Sequence, residues 1–217
     1  IGQKPGLTDG YGLIDGDGNY VGVAYNPAQP NLSTRFFMSN NFRSFWRETF
    51  NNLDVSQGYT QILLRAPGSA DNYSGLDNNW SNGETDRNFK GFQYLPFAIN
   101  AVDDLSDGVV KLALGRLGLY VSDDNGDHVI MAPGWRIGPN TGFVTAVAYG
   151  GKSGGVANQN ILYAARGDKG EILVSSDNGG TFQTLSPTGA GSIHQISLDP
   201  ENWRTAFAVD DKHVWAI

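Results

Sequence analysis

Apolar residues recur along this chain in short runs separated by polar turns, with few stretches at helical spacing. Four runs share one cadence. Val21-Gly-Val-Ala-Tyr25 precedes Asn26-Pro27, and Phe97-Ala-Ile-Asn-Ala-Val102 precedes Asp103-Asp104. Val144-Thr-Ala-Val-Ala-Tyr149 precedes a glycine-rich stretch, and Ile193-His-Gln-Ile-Ser-Leu198 precedes Asp199-Pro200. Alternation at period two with turn residues at the borders predicts strands. Two units continue alike. One runs through Val109–Leu114, Leu119–Ser122 and His128–Met131. The other runs through Ile161–Ala165, Glu171–Ser175 and Thr181–Leu185. Each reads as four strands.

The last turn of each unit carries specific chemistry. Ser175-Ser-Asp177-Asn-Gly179-Gly-Thr181-Phe182 has the form S-x-D-x-G-x-T-[WF]. Asp177 suits an acceptor for turn N–H groups, and Gly179 suits a positive φ. Ser175 and Thr181 are placed to tie the strand ends together, and Phe182 to bury its ring. Ser122, Asp124 and Gly126 repeat the first half, with His128 and Val129 in place of Thr and aromatic. The two serines lie roughly 50 residues apart, within the repeat lengths of propeller blades.

Four strands per unit with a tight turn between the last two resembles the BNR/Asp-box β-propellers, a group that includes sialidases, xyloglucanases and sortilin-type receptors. The resemblance covers most of residues 20–217. It implies an all-β propeller of about three and a half blades, over residues 20–65, 95–132, 143–186 and 192–217. Residues 1–19 are then a leader or edge segment, and 66–94 an insertion. In that family the box is a structural device, set away from the binding face.

The first blade takes Arg35–Ser39, Phe45–Phe50 and Tyr59–Arg65 as its second to fourth strands. A rival register, with Ser39–Trp46 as a decayed box, leaves the apolar run at 59–65 unexplained. Val214–Ile217 falls in the third strand of a fourth blade. The expectation is a fragment whose open edge, with Phe207, Val209, Val214 and Trp215, is covered by another polypeptide, another copy or the rest of a parent chain.

Composition narrows the partners. The formal net charge of −7 disfavours nucleic acid, which needs a basic face. There is no Cys, so disulfides and thiolate metal sites are excluded. No apolar run approaches membrane-spanning length. An acidic, Asn- and Gly-rich, Cys-free β-protein leans towards an exported bacterial one, extracellular, cell-surface or periplasmic.

Candidate chemistry is sparse. In a propeller, the loops between strands one and two and between three and four share one face. The other loops share the second face, where family sites lie. The insertion falls there, and its Trp80 suits stacking on a sugar ring or a partner; the competing reading is a ring pinning the loop to its own blade. Arg87 and Arg116 are ligand-binding candidates for that face, but no sialidase arginine triad can be assigned, since Arg136-Ile137-Gly138-Pro139 interrupts the R-I-P motif. Asp104, Asp107 and Glu84 are loop acids that a hydrolase would have to pair across a cleft. Asp15-Gly-Asp17-Gly-Asn19 offers alternate oxygen ligands suited to calcium; an EF-hand fails, because Tyr20 and Asn26 stand where Gly and Glu belong. Gly150–Gly155 lacks P-loop spacing and reads as a flexible loop. His128, His194 and His213 are not brought together by the sequence. The functional expectation is a non-catalytic propeller module for binding or assembly; the alternative is part of a carbohydrate-active glycoside hydrolase.

Overall fold

A computed structural model describes residues 2–3, 10–11, 21–25, 29–39, 44–62, 64–65, 96–116, 118–135, 143–167 and 170–217. Every regular element among them is a strand. β1 (Gly2–Gln3) and β2 (Gly10–Tyr11) form a sheet of their own. The first large sheet is β3 (Val21–Tyr25), β4 (Leu32–Ser39), β5 (Ser44–Asn51) and β6 (Ser56–Ile62), antiparallel and in sequence order. β7 (Leu64–Arg65) follows it. The second sheet is β8 (Phe97–Ile99), β9 (Leu112–Gly115), β10 (Leu119–Ser122) and β11 (Val129–Met131). The third is β12 (Val144–Ser153), β13 (Val156–Arg166), β14 (Glu171–Ser175) and β15 (Gln183–Leu185). The fourth has three strands, β16 (Gln195–Leu198), β17 (Ala206–Val209) and β18 (Val214–Ala216).

The first strands of successive sheets are neighbours: β3 lies against β8, β8 against β12 and β12 against β16. Consecutive up-and-down sheets joined at their first strands are the blades of a β-propeller. The core lies between the blades. Phe36, Phe45 and Ile62 of the first blade pack with Leu112, Leu114, Leu119 and Tyr120 of the second and Leu162 and Leu173 of the third. A second cluster joins Ile161, Tyr163 and Ile172 to Ile193, Ile196, Ala206 and Ala208 of the fourth. Close approach at the inner strands demands glycine: a Cβ on Gly22 would sit 2.8 Å from the Phe97 ring.

Three features differ from the sequence expectation. Tyr59–Arg65 is not one strand. β6 ends at Ile62, and Leu64–Arg65 pairs in parallel with β11, Leu64 opposite Val129 and Arg65 opposite Ile130. The departing chain thereby covers the outer edge of the next blade. Gly150–Gly155 is not a flexible loop but the end of the long β12–β13 hairpin. Gly154 and Gly155, at φ +58° and +79°, supply the two left-handed residues that a tight hairpin turn needs. Lastly, Trp215 does not face outwards. Opposite Ala208 on β17, it packs into the cluster shared with the third blade. Phe207 and Val214 take the outward side, where both are exposed.

Candidate functional site

Among the described residues, polar groups gather at the two Ser-x-Asp-x-Gly turns and on the second face of the fourth blade, and a slot runs along the first strands. In the 175–182 turn, Ser175 Oγ donates to Asp177 Oδ1 at 2.7 Å and accepts from the buried Gly179 N at 2.8 Å. Asp177 Oδ1 accepts from Thr181 N at 2.9 Å, and Oδ2 from Thr181 Oγ1 at 2.8 Å. The Thr181 N–H and the Ser175 and Thr181 hydroxyls hold the Asp177 carboxyl at about 2. Asn178 and Gly179 both take positive φ.

The 122–128 turn has the same frame. Ser122 Oγ donates to Asp124 Oδ1 at 2.9 Å and accepts from Gly126 N at 2.9 Å. His128 stands where the other turn has Thr, its N–H donating to Asp124 Oδ1 at 2.9 Å and its ring facing Oδ2. Burial alone would raise the Asp124 carboxyl, but the hydrogen bonds from His128 and Ser122 outweigh it and lower it.

Both turns also dock one blade on the next. A Cβ on Gly126 would sit 2.7 Å from Ile62, the last residue of the first blade's outer strand. A Cβ on Gly179 would sit 2.7 Å from Ala132, just past the second blade's outer strand. Gly134 N donates to Gly179 O at 2.6 Å, and the Trp135 ring meets Phe182 edge-on at 5.7 Å. The turns are therefore joints between blades.

On the second face, Asp210 dominates the fourth blade. Only 7 % exposed, it accepts from Gly191 N at 3.0 Å, Lys212 N at 2.8 Å, His213 N at 2.6 Å and Trp215 Nε1 at 3.3 Å. The Gly191, Lys212 and His213 N–H groups hold its carboxyl well below the usual range. The sequence reading missed this anchor. Its signal was a second acidic turn, Asp210-Asp-Lys-His213, facing a glycine-rich blade connection. His194 and His213 lie on this same face, beside Asp211 and Asp210, while His128 lies at the turn of another blade. Among the described residues no group of three His, Asp or Glu side chains is arranged to hold a metal ion.

Arg116 lies at the β9–β10 turn of the second face. It is 6 % exposed, and its backbone O accepts from Val144 N at 2.7 Å, linking the second blade to the third. Asp104 and Asp107 lie between β8 and β9, on the face of the Ser-x-Asp-x-Gly turns. Asp104 accepts from Ser106 N at 3.0 Å and Asp107 from Val109 N at 2.9 Å, so both close local turns. Trp80, Arg87, Glu84, Asp15, Asp17 and Asn19 lie outside the described residues.

The slot runs between the first strands β8, β12 and β16. Its main cavity, about 420 Å³, has an apolar floor of Ile99, Val147, Ile196 and Leu198, with Lys152 and Asp199 at one end. A second cavity of about 160 Å³ lies towards the second face, lined by Phe97, Thr145, His194 and Gln195. This axial slot is the candidate binding surface, within the size range of small-ligand pockets.

The fold and these sites define a β-propeller in which each box-like turn is a blade joint. No protein-family model and no curated protein matches the chain. Among solved structures it is similar to YCF48 from Cyanidioschyzon merolae, at 8% identity and a TM-score of 0.39. The match covers 86% of this chain and 62% of that one.

Proposed function

We propose that the chain is a non-catalytic propeller module of the BNR/Asp-box type that works in assembly and binding within a larger extracellular protein. The observation that carries this reading is the pair of apolar flanks. On the side of the first blade turned away from the second, the β3 residues Val21, Val23 and Tyr25 are 52–59% exposed, while Phe37 on β4 and Phe50 on β5 are buried. On the outward side of the fourth blade, Phe207 is 44% and Val214 69% exposed. Between these flanks the same kinds of side chain are buried at every blade junction. Apolar strand faces of this kind favour a covering partner, and further blades, from the parent chain or another polypeptide, have the matching shape.

The carboxylates support the non-catalytic half of the reading. Asp104, Asp124, Asp177 and Asp210 are all lowered, and each is engaged by turn donors. A glycosidase acid needs the opposite shift. The absence of Cys and the acid excess favour an exported location. Calcium at Asp15, Asp17 and Asn19 remains part of the proposal on its residue pattern alone.

Light scattering and native mass spectrometry on the chain test the assembly reading. The wild type should self-associate or bind an apolar dye, and V23K with V214K should abolish both while leaving the circular dichroism spectrum unchanged. A wild-type monomer that binds no dye would refute it, and turnover of aryl glycosides would favour the hydrolase alternative.

A further inference from the structure

The junction between the first and second blades changes character along its length. At one end, Phe36, Phe45 and Ile62 fill it. At the other, the same face of the first blade carries Thr34 on β4 and Arg47 and Thr49 on β5, with Thr34 directly opposite Thr49. The Thr34 and Thr49 side chains are shorter than the phenylalanines, and the junction opens into a wedge of about 330 Å³. Its far wall is the second blade's Leu105, Val110, Asn125 and Asp127.

The wedge is bridged at one point. Arg47 Nη1 donates to Asn125 O at 2.7 Å, and Nη2 meets Asp127 Oδ1 at 2.9 Å. The pair is only partly exposed at the arginine, 19%, and more so at the aspartate, 52%. It uses two of the five guanidinium N–H groups. The side chains of Thr34, Thr49 and Gln29, which also line the wedge, have no hydrogen-bond partner among the described residues. Leu32, Leu105 and Val110 supply an aliphatic wall.

We propose that this wedge is a binding site for a neutral polyhydroxylated ligand, a sugar ring. Arg47 and Asp127 cancel in charge, so a charged ligand gains no net attraction. Side by side, however, they offer a donor and an acceptor. A vicinal diol accepts from one and donates to the other. The Thr34 and Thr49 hydroxyls and the Gln29 amide each donate and accept, matching further hydroxyls. The C–H face of a pyranose packs on the leucine and valine side chains. The volume lies at the lower end of the small-ligand range. The site is separate from the axial slot and does not depend on how the flanks are covered.

Amide NMR of the full chain, titrated with methyl β-glucopyranoside, methyl β-galactopyranoside, cellobiose and methyl β-glucuronide, tests this. A neutral sugar should shift the Gly108, Asn125 and Asp127 amides, and the glucuronide should bind no tighter than its neutral counterpart. T34V and T49V keep the shape of the side chain; each should weaken binding about fivefold or more with an unchanged melting temperature. Tighter binding of cellobiose than of the monosaccharide assigns the wedge to a chain end, and equal binding to a free sugar. No shift with any sugar, shifts confined to the axial slot, or T34V and T49V that both bind like wild type would overturn the proposal.

Discussion

Replacing Ser175 with Ala should cost more than replacing Asp177, although Asp177 makes as many hydrogen bonds in the turn. Ser175 is 2% exposed, and its Oγ is the acceptor for Gly179 N, itself buried. Alanine leaves that N–H without a partner and without room for water, at a cost of about 1–3 kcal/mol. It also removes the 2.7 Å bond to Asp177, a charge-assisted contact worth about 1 kcal/mol in this half-exposed setting. The sum is about 2–4 kcal/mol. Asp177 is exposed, so in Asp177→Ala the released Thr181 N–H turns to water. That substitution should cost about 0.5–1.5 kcal/mol. Urea denaturation followed by tryptophan fluorescence gives both values, provided the slopes agree. Ser122→Ala, which orphans Gly126 N in the same way, should match Ser175→Ala within about 1 kcal/mol. If Asp177→Ala proved the more damaging, or Ser175→Ala cost under about 0.5 kcal/mol, the buried amide would not be what the motif protects.

Two more expectations concern the joints and the pH response. Gly134→Ala would bring a Cβ within 2.3 Å of Gly180 O, and Gly179→Ala would add both a 2.7 Å clash with Ala132 and a strained φ of +83°. Each should lower stability by about 2 kcal/mol or more and raise hydrogen exchange in β11 and β15 before β4 and β5; uniform exchange would contradict a joint. Asp177 and Asp210 are both lowered in the fold, so their stabilising contribution is complete above the ordinary carboxylate range near 4 and fades as pH falls below it, for Asp177 through about 2. The urea midpoint should hold between pH 7 and 5, fall below about pH 4, and fall less steeply in Asp177→Ala; identical slopes in that variant would exclude Asp177 from the acid transition.

The blades were legible because strand and turn are local. Period-two runs and the residues of S-x-D-x-G fix a hairpin within a dozen positions, and those hairpins are present at 112–131 and 161–185. What escaped the sequence is set by the neighbouring blade. Leu64–Arg65 continues the apolar run Ile62-Leu63-Leu64 of the sequence, and only the outer edge of β11 explains why it leaves the first sheet. Trp215 alternates correctly, yet which side of β18 faces a partner depends on the third blade. Asp210 reads as one more turn acid until Gly191 arrives from the blade connection. The wedge is the extreme case. Thr34, Arg47 and Thr49 are ordinary strand residues, and their interest comes from Asn125 and Asp127 across the junction, roughly 80 residues away in sequence. In a propeller, where each blade is locally specified and sites form between blades, fold is written in the repeat and function in the departures from it. Those departures are the places to mutate.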